Sequence, residues 1–421
     1  MKSGQPIAWI TMTMTDVLVL DVLLYGIPIG TLTRVPGDRN LFSFNEDFVG
    51  NDSRPTLGLR FKDQYGELIS EFNPTKTRLM PYFSNLLPEG HMRTYLAEKA
   101  GVKSVREFFL LWALGKDLPG AITVQPQGDD DWTSAAPETS EPALGGSKAS
   151  EPALRFSLAG VQLKFSAINE VAAGLTIPAE GIGGSWIVKL PSNQYEGVPE
   201  NEYSMMTLAR KIGIDVPAVR LVNPRDIGNL PTGVGTLRGQ AFAIERFDRL
   251  SDGNLIHIED FAQVFDVYPE DKYGKASMRN IASVLASETS RSDIEEFIRR
   301  LTFNTLIGNG DMHLKNWSLM YSDRRTPALA PAYDFVSTIP YIPGDEAALK
   351  FSRTKRFDEF SEDELSHLSA RSGLPEMHVL DTAKETVELF HQHWKVEKQN
   401  LPLTKEIIRA IDTHSATIPL S

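Results

Sequence analysis

Along the first part of the chain, residues 17–60, short apolar runs are separated by turn residues. LVLDVLLYGIPIGTLTRV and PTLGLRF are rich in the residues that favour pleated strands, with a turn placed at Gly26-Ile27-Pro28. Over residues 77–115 the period changes. TRLMPYFSNLLPEGHMRTYLAEKAG and SVREFFLLWALG carry apolar residues at helical spacing, and each run ends at a glycine. The pattern predicts a small α+β subdomain over residues 15–125. Periodicity then disappears. Residues 126–154 (PQGDDDWTSAAPETSEPALGGSKASEPAL) are rich in Pro, Ser, Ala, Gly and acid, too poor in apolar surface to order themselves, and read as a flexible acidic linker. Residues 155–250 alternate strand-like runs (LKFSAI, SWIVKL, AVRLV, QAFAIERF) with one helix-like run at 200–212. From residue 259 the pattern is overwhelmingly helical, as in SDIEEFIRRLTFNTLIGN and EMHVLDTAKETVELFHQHWKVEKQ. The predicted organisation is a β-rich lobe (155–250) followed by a helical lobe (251–421), with residues 1–14 an unstructured extension to which no function is assigned.

Length and composition narrow the class. The 421 residues correspond to two or three domains at about 150 residues each. With 41% hydrophobic and 23% charged residues, the chain is of ordinary globular make-up. The absence of cysteine removes disulfides, thiolate metal sites and cysteine nucleophiles. A net charge of −12 argues against a surface that coats nucleic acid. No stretch reaches the ~18 uninterrupted apolar residues of a membrane span, and the N-terminus fits a signal peptide poorly.

The most informative stretch is Asn309-Gly310-Asp311-Met312-His313-Leu314-Lys315-Asn316, just after an amphipathic run. Phosphoryl transfer needs a carboxylate to orient or deprotonate the acceptor hydroxyl, and an oxygen ligand for Mg²⁺ from the same rigid loop. Asp311 fits the first role and Asn316 the second, while His313 or Lys315 could steady the transferring phosphoryl group or the loop itself. A helix end at Gly310 followed by a solvated loop is the competing reading. Tyr333-Asp334-Phe335 adds a second aspartate 23 positions on, and a hairpin between them (WSLMY, SDRR, TPALAPAY) would bring both carboxylates to one cleft. Protein kinases use such a pair, the second aspartate gripping Mg²⁺. A turn or N-cap aspartate is the alternative for Asp334.

A kinase also needs a β-lobe lysine on the nucleotide phosphates. Lys189 ends the apolar run Trp186-Ile187-Val188, where a strand buried on both faces would not keep an unpaired lysine. An edge lysine that guards against strand pairing is the other possibility. Glu200 or Glu202 could pair with it, although acids at a helix start also favour the helix dipole. No Gly-rich phosphate signature occurs. Small residues at 157, 159 and 160 of SLAGVQLK would let backbone N–H groups approach phosphates, and a ligand-free turn is equally compatible.

The segments VLLYGIPIGTL, YFSNLLPEG, LWALGKDLPGAI, SLAGVQLK, WIVKLP, ENEY, IERFDR, LIGNGDMHLKN and APAYDF, in this order, closely resemble the HipA family of bacterial toxin serine/threonine kinases over residues 15–400. The resemblance implies an α+β, protein-kinase-like two-lobed fold with a small N-terminal subdomain, an all-helical C-lobe, and ATP and Mg²⁺ as cofactors. It makes Asp311 the catalytic base, Asn316 and Asp334 the Mg²⁺ holders and Lys189 an ATP-phosphate contact. Glu245 and Phe247 become the adenine hinge. Ser157, Ala159, Gly160, Val161, Gln162 and Lys164 become the phosphate loop, with Ser157 autophosphorylated, and His313 and Lys315 join the ATP site. It further implies a cytoplasmic toxin, a HipB-like helix-turn-helix antitoxin that carries the operator-DNA contact, and a translation factor such as an aminoacyl-tRNA synthetase as substrate. A co-repressor scaffold with vestigial catalysis and a small-molecule phosphotransferase are the alternatives.

Overall fold

The computed structural model describes residues 18–127, 163–170, 174–178, 183–192, 194–230 and 237–420. The expected extension, nearly all of the acidic linker, and Ser157, Ala159, Gly160, Val161 and Gln162 lie outside them.

Strands β1 (Leu18–Leu24) and β2 (Ile27–Val35) form an antiparallel hairpin. Its turn is Tyr25-Gly26, both at positive φ (54° and 75°), so the reversal falls one residue earlier than expected and Ile27-Pro28 already belongs to β2. With β3 (Arg39–Phe44), β4 (Thr75–Lys76) and β5 (Ile122–Pro126) they make a five-stranded sheet in the order β4-β3-β2-β1-β5. Alternate residues Leu20, Val22 and Leu24 face a core closed by Phe42, Phe61, Tyr82 and Phe83. Helix α1 (Glu46–Val49) is a single turn. The helical run of residues 77–101 is interrupted: α2 (Pro81–Ser84) stops, and α3 (Gly90–Ala100) begins again. Pro88 explains the break, since it has no N–H to donate and its ring crowds the preceding turn. Helix α3 ends at the left-handed Gly101 and α4 (Glu107–Leu114) at Gly115, as the sequence pattern predicts.

The second sheet is antiparallel and holds β6 (Lys164–Glu170), β7 (Gly174–Thr176), β8 (Trp186–Lys189), β9 (Val219–Val222) and β10 (Ala241–Glu245), in the order β7-β6-β8-β10-β9. Helix α5 (Val198–Lys211) buries Met205, Met206, Leu208 and Ala209 in the main core. That core continues into the C-lobe through Phe242, Phe261, Leu301, Leu314 and Phe335.

The C-lobe contains α6 (Phe261–Val264), α7 (Met278–Glu288), α8 (Arg291–Leu306), α9 (Glu362–Ser372), α10 (Glu376–Glu397) and α11 (Lys405–Ser415). Capping boxes at Asp260, Ser277 and Ser290 start α6, α7 and α8 by satisfying otherwise orphaned backbone donors. The expected hairpin is present as β12 (Ser318–Tyr321) and β13 (Ala328–Leu329). It joins β11 (His257–Asp260) in a three-stranded sheet, so this lobe is helical apart from that sheet. Among the described residues, no helix is long and apolar enough to cross a membrane.

Candidate active site

Lys189 sits on β8, a central strand, opposite Lys164 on β6 and Phe242 on β10. It is therefore not an edge lysine. With only 5% of its surface exposed, its ammonium needs compensation, and it finds two carboxylates, Glu202 of α5 and Asp334. Glu202, not Glu200, is the helix acid that makes this pair. Burial works against the charge of Lys189, but Asp334 and Glu202 outweigh it and raise its pKa. Glu202 is pushed up by burial, with Lys189 opposing. At Asp334 burial is outweighed by Lys164 and Lys189, which hold the carboxyl well below the usual range. Lys164 lies 3.7 Å from Asp334 Oδ2. Asp334 itself has φ of 58°, an uncommon left-handed conformation for a non-glycine residue that the Lys189 contact helps to hold.

The loop after α8 faces this cluster. Gly308 turns at φ 65°, and its carbonyl accepts from Thr338 N (3.0 Å) and Oγ1 (3.1 Å). Gly310 leaves no room for a side chain: a Cβ there would lie 2.0 Å from Asp345 Oδ2. Asn309 ties the loop to its surroundings, donating to Asn304 Oδ1 (2.7 Å) and to Asp334 O (3.4 Å) and accepting from Asp311 N (3.0 Å). The two aspartate segments are thus joined by one amide side chain. Asp311 is 9% exposed and accepts a 2.7 Å hydrogen bond from Tyr273 Oη. Burial raises its pKa to about 6, while Tyr273 and Lys272 pull it down.

Two polar groups on the same loop are buried without a hydrogen-bond partner among the described residues: Asn316 Oδ1 and both ring nitrogens of His313. Burial holds His313 neutral, its pKa well below the usual value. Orphaned buried acceptors are rare, and each calls for a physical account such as a ligand or an ordered water that completes it. Asn316 Oδ1 and the Asp334 carboxylate are hard oxygen donors of the kind Mg²⁺ takes, and Mg²⁺ commonly uses one or two such groups plus phosphate oxygens. No group of three or more His, Asp or Glu gathers for a metal among the described residues.

Lys315 points elsewhere. Its ammonium donates to Asn85 O (2.7 Å) and Oδ1 (3.1 Å) of the N-terminal module and pairs with Asp260 (3.1 Å), so the structure places it on the loop-steadying side of the two roles open to it. Glu245 ends β10 exposed, its N–H given to Ala218 O at 2.9 Å. Phe247 packs against Tyr333 with ring centres 5.9 Å apart. Between and beyond them, Arg246 and Arg249 bind Asp248 and reach Asp117 of the N-terminal module at 3.2 and 3.0 Å.

Sequence reasoning missed Tyr273, Asn309, Asn85 and Glu89. Tyr273 lies in a segment without periodicity, and Asn85 and Glu89 stand more than 200 positions from Lys315 and Asn316.

The arrangement offers a buried cation with two carboxylates, a facing carboxylate that titrates near pH 6, and unfilled oxygen and nitrogen acceptors. Comparison with known proteins agrees. The description "HipA N-terminal domain" matches residues 20–125, and "HipA-like C-terminal domain" matches residues 156–394. A Sinorhizobium fredii protein named "Putative kinase Y4dM" is 58% identical over 410 residues, covering 97% of this chain and 98% of its own length. The "Serine/threonine-protein kinase toxin HipA" of Shewanella oneidensis is 28% identical over 305 residues, covering 63% of this chain and 65% of its own. A solved structure of a Shewanella oneidensis toxin–antitoxin system, HipA with HipB and its operator DNA, shares the fold. Its TM-score is 0.71 at 22% identity, over 94% of this chain and 95% of that one. With both domains matched in order, and the kinase-like two-lobed architecture in common, the chain belongs to the HipA family.

Proposed function

We propose that the chain is an ATP-dependent protein serine/threonine kinase and the toxin of a toxin–antitoxin pair. The observation that supports this most is the Lys189 contact with both Glu202 and Asp334, the latter close enough to Asp311 for their charges to interact. Lys189 and Lys164 orient the phosphates, because both cations lie at the Asp334 carboxylate. Asp311 accepts the proton of the acceptor hydroxyl. Its pKa of about 6 leaves it mostly ionised at pH 7 yet basic enough to take a proton. Asn316 and Asp334 are the residues that would hold Mg²⁺, which when bound offsets charge on the transferring phosphoryl group. His313, neutral and unpartnered, offers a ring nitrogen to the same group. Glu245 and Phe247 receive the adenine at the end of β10.

By membership of the family, a HipB-like helix-turn-helix antitoxin is the partner and carries the contact with operator DNA. That division suits a chain of net charge −12. The substrate is a translation factor such as an aminoacyl-tRNA synthetase in the cytoplasm, and Ser157 is the autophosphorylation site. The test is incubation of the pure protein with Mg²⁺ and γ-labelled ATP, with the phosphosite mapped by mass spectrometry. Label at Ser157 is expected. No incorporation into the protein or into any added translation factor would overturn the proposal.

A further inference from the structure

Among the described residues, the N-terminal module meets the loop after α8 through Asn85 and Glu89. Pro88 ends the α2 turn, and the residues around it face the C-lobe. Asn85, 4% exposed, anchors itself by donating to Pro81 O (2.9 Å) and Val267 O (2.7 Å), and takes the Lys315 ammonium on both of its oxygens. Glu89 accepts from Lys272 Nζ at 2.6 Å and stands 3.6 Å from Lys315 Nζ. Burial opposes the charge of Glu89, but Lys315 and Lys272 outweigh it and keep the carboxyl ionised.

Both lysines adjoin the proposed chemistry. Lys315 precedes Asn316, and its carbonyl accepts from Tyr333 Oη at 2.9 Å. Lys272 precedes Tyr273, the residue bonded to Asp311, and the Lys272 carbonyl lies 3.4 Å from Leu314 N of the loop. Two ammonium groups converge on one carboxylate. Lys315 also keeps Asp260 at 3.1 Å, whereas Glu89 is the ion-pair partner of Lys272 among the described residues. Without the Glu89 charge the Lys272 cation is left uncompensated beside Lys315, and the segment carrying Tyr273 is loosened against the loop. Simple docking of the module does not need Glu89. The Asp117–Arg246–Arg249–Asp248 network and the bonds of Leu57 and Leu59 to His257 and Glu259 already fasten it.

We infer that the N-terminal module completes the catalytic loop, with Asn85 and Glu89 as positioning residues that hold Asp311 and Asn316 in register through Lys272 and Lys315. The inference rests on the phosphotransfer reading. It is tested with Glu89→Gln, Glu89→Asp, Lys315→Met and the Glu89→Gln/Lys315→Met double variant of the full chain. The readouts are kcat, the KM for ATP, and amide hydrogen exchange of residues 308–316. Displacement of a catalytic group by about an ångström costs on the order of 10²-fold. Glu89→Gln is therefore expected to lower kcat by about that factor, with KM for ATP unchanged and exchange in the loop accelerated. Glu89→Asp should restore part of the rate, and the double variant should lose no more than the worse single one. Wild-type kcat and loop protection in Glu89→Gln would overturn the inference, as would additive losses, or a Lys315→Met effect confined to KM for ATP. If the wild type transfers no phosphate, the kinase reading fails by itself. Loop exchange then decides the coupling, and unchanged protection in Glu89→Gln rejects it.

Discussion

The Lys189–Glu202–Asp334 cluster and Glu259, at the seam between the N-terminal module and β11–β12, both bury carboxylates, and among the described residues only those of the first are ion-paired with a lysine. At the seam, Glu259 is fully buried, accepting from Leu59 N (2.9 Å) and Tyr321 Oη while its second oxygen has no hydrogen-bond partner among the described residues. Burial pushes its pKa to about 7. His257 beside it is neutral, burial lowering its pKa to about 4. Its Nε2 meets Leu57 O at 2.7 Å and its Nδ1 faces Ala121 N at 3.4 Å, which assigns the proton to Nε2. Glu259 and His257 meet the cost of burial by shedding charge, whereas the Lys189 cluster keeps its charge and balances it. A displaced pKa alone therefore does not mark chemistry. A carboxylate held ionised in a buried site by lysines, next to unfilled acceptors, does.

The comparison is broken most severely at Lys189. Lys189→Met leaves Glu202 buried against nothing, and is expected to abolish phosphoryl transfer and to cost about 3–5 kcal/mol in urea unfolding. Stability equal to wild type would show that the cluster is not charge-balanced. Asp311→Asn separates chemistry from folding. Transfer should drop by about 10²–10⁴-fold, the usual worth of a general base. Because the Asp311 carboxyl prefers to be protonated in the fold, its contribution to stability is present below pH 3.8 and lost as pH rises through about 6. The Asn variant is therefore expected to be no less stable than wild type at pH 8.

At the seam the effect moves to stability. Glu259 has its ordinary value of 4.5 raised to about 7, so its favourable contribution is present below pH 4.5 and disappears as pH rises through 7. By linkage this amounts to about 3 kcal/mol. Glu259→Gln should match wild type at pH 4.5, exceed it by about that amount at pH 8, and transfer phosphate normally. A lost rate would make the seam part of the catalytic apparatus. His257 acts with the opposite sign. Its contribution is present above pH 6.5 and fades as pH falls through about 4, so the two groups partly cancel in the wild type. The smallest effect is in the rate profile: kcat/KM should fall on the acid side with a midpoint near pH 6, set by Asp311.

The readable and unreadable parts of the chain differ physically. Asp311, Asn316 and Asp334 stood out because local order, a glycine-bearing loop between two apolar runs, exposes their spacing. Lys189 stood out because a charge in an apolar strand demands a partner, although only the strand order shows that β8 is central. The break at Pro88 was hidden by apolar residues whose spacing continues through it, and β11 by its brevity. Tyr273, Asn85 and Glu89 act only through contacts made across the folded chain. The hydrogen bonds from Tyr273 to Asp311 and from Lys272 to Glu89 span 38 and 183 positions, beyond the reach of any periodicity.

The central claim, that Asp311 works as the base of a phosphotransfer site, is tested most directly by single-turnover transfer from γ-labelled ATP, comparing wild type with Asp311→Asn at pH 7.5 under conditions where both are fully folded. The account predicts transfer by the wild type and a rate lower by about 10²–10⁴-fold in the variant. Equal rates in the two proteins would contradict it.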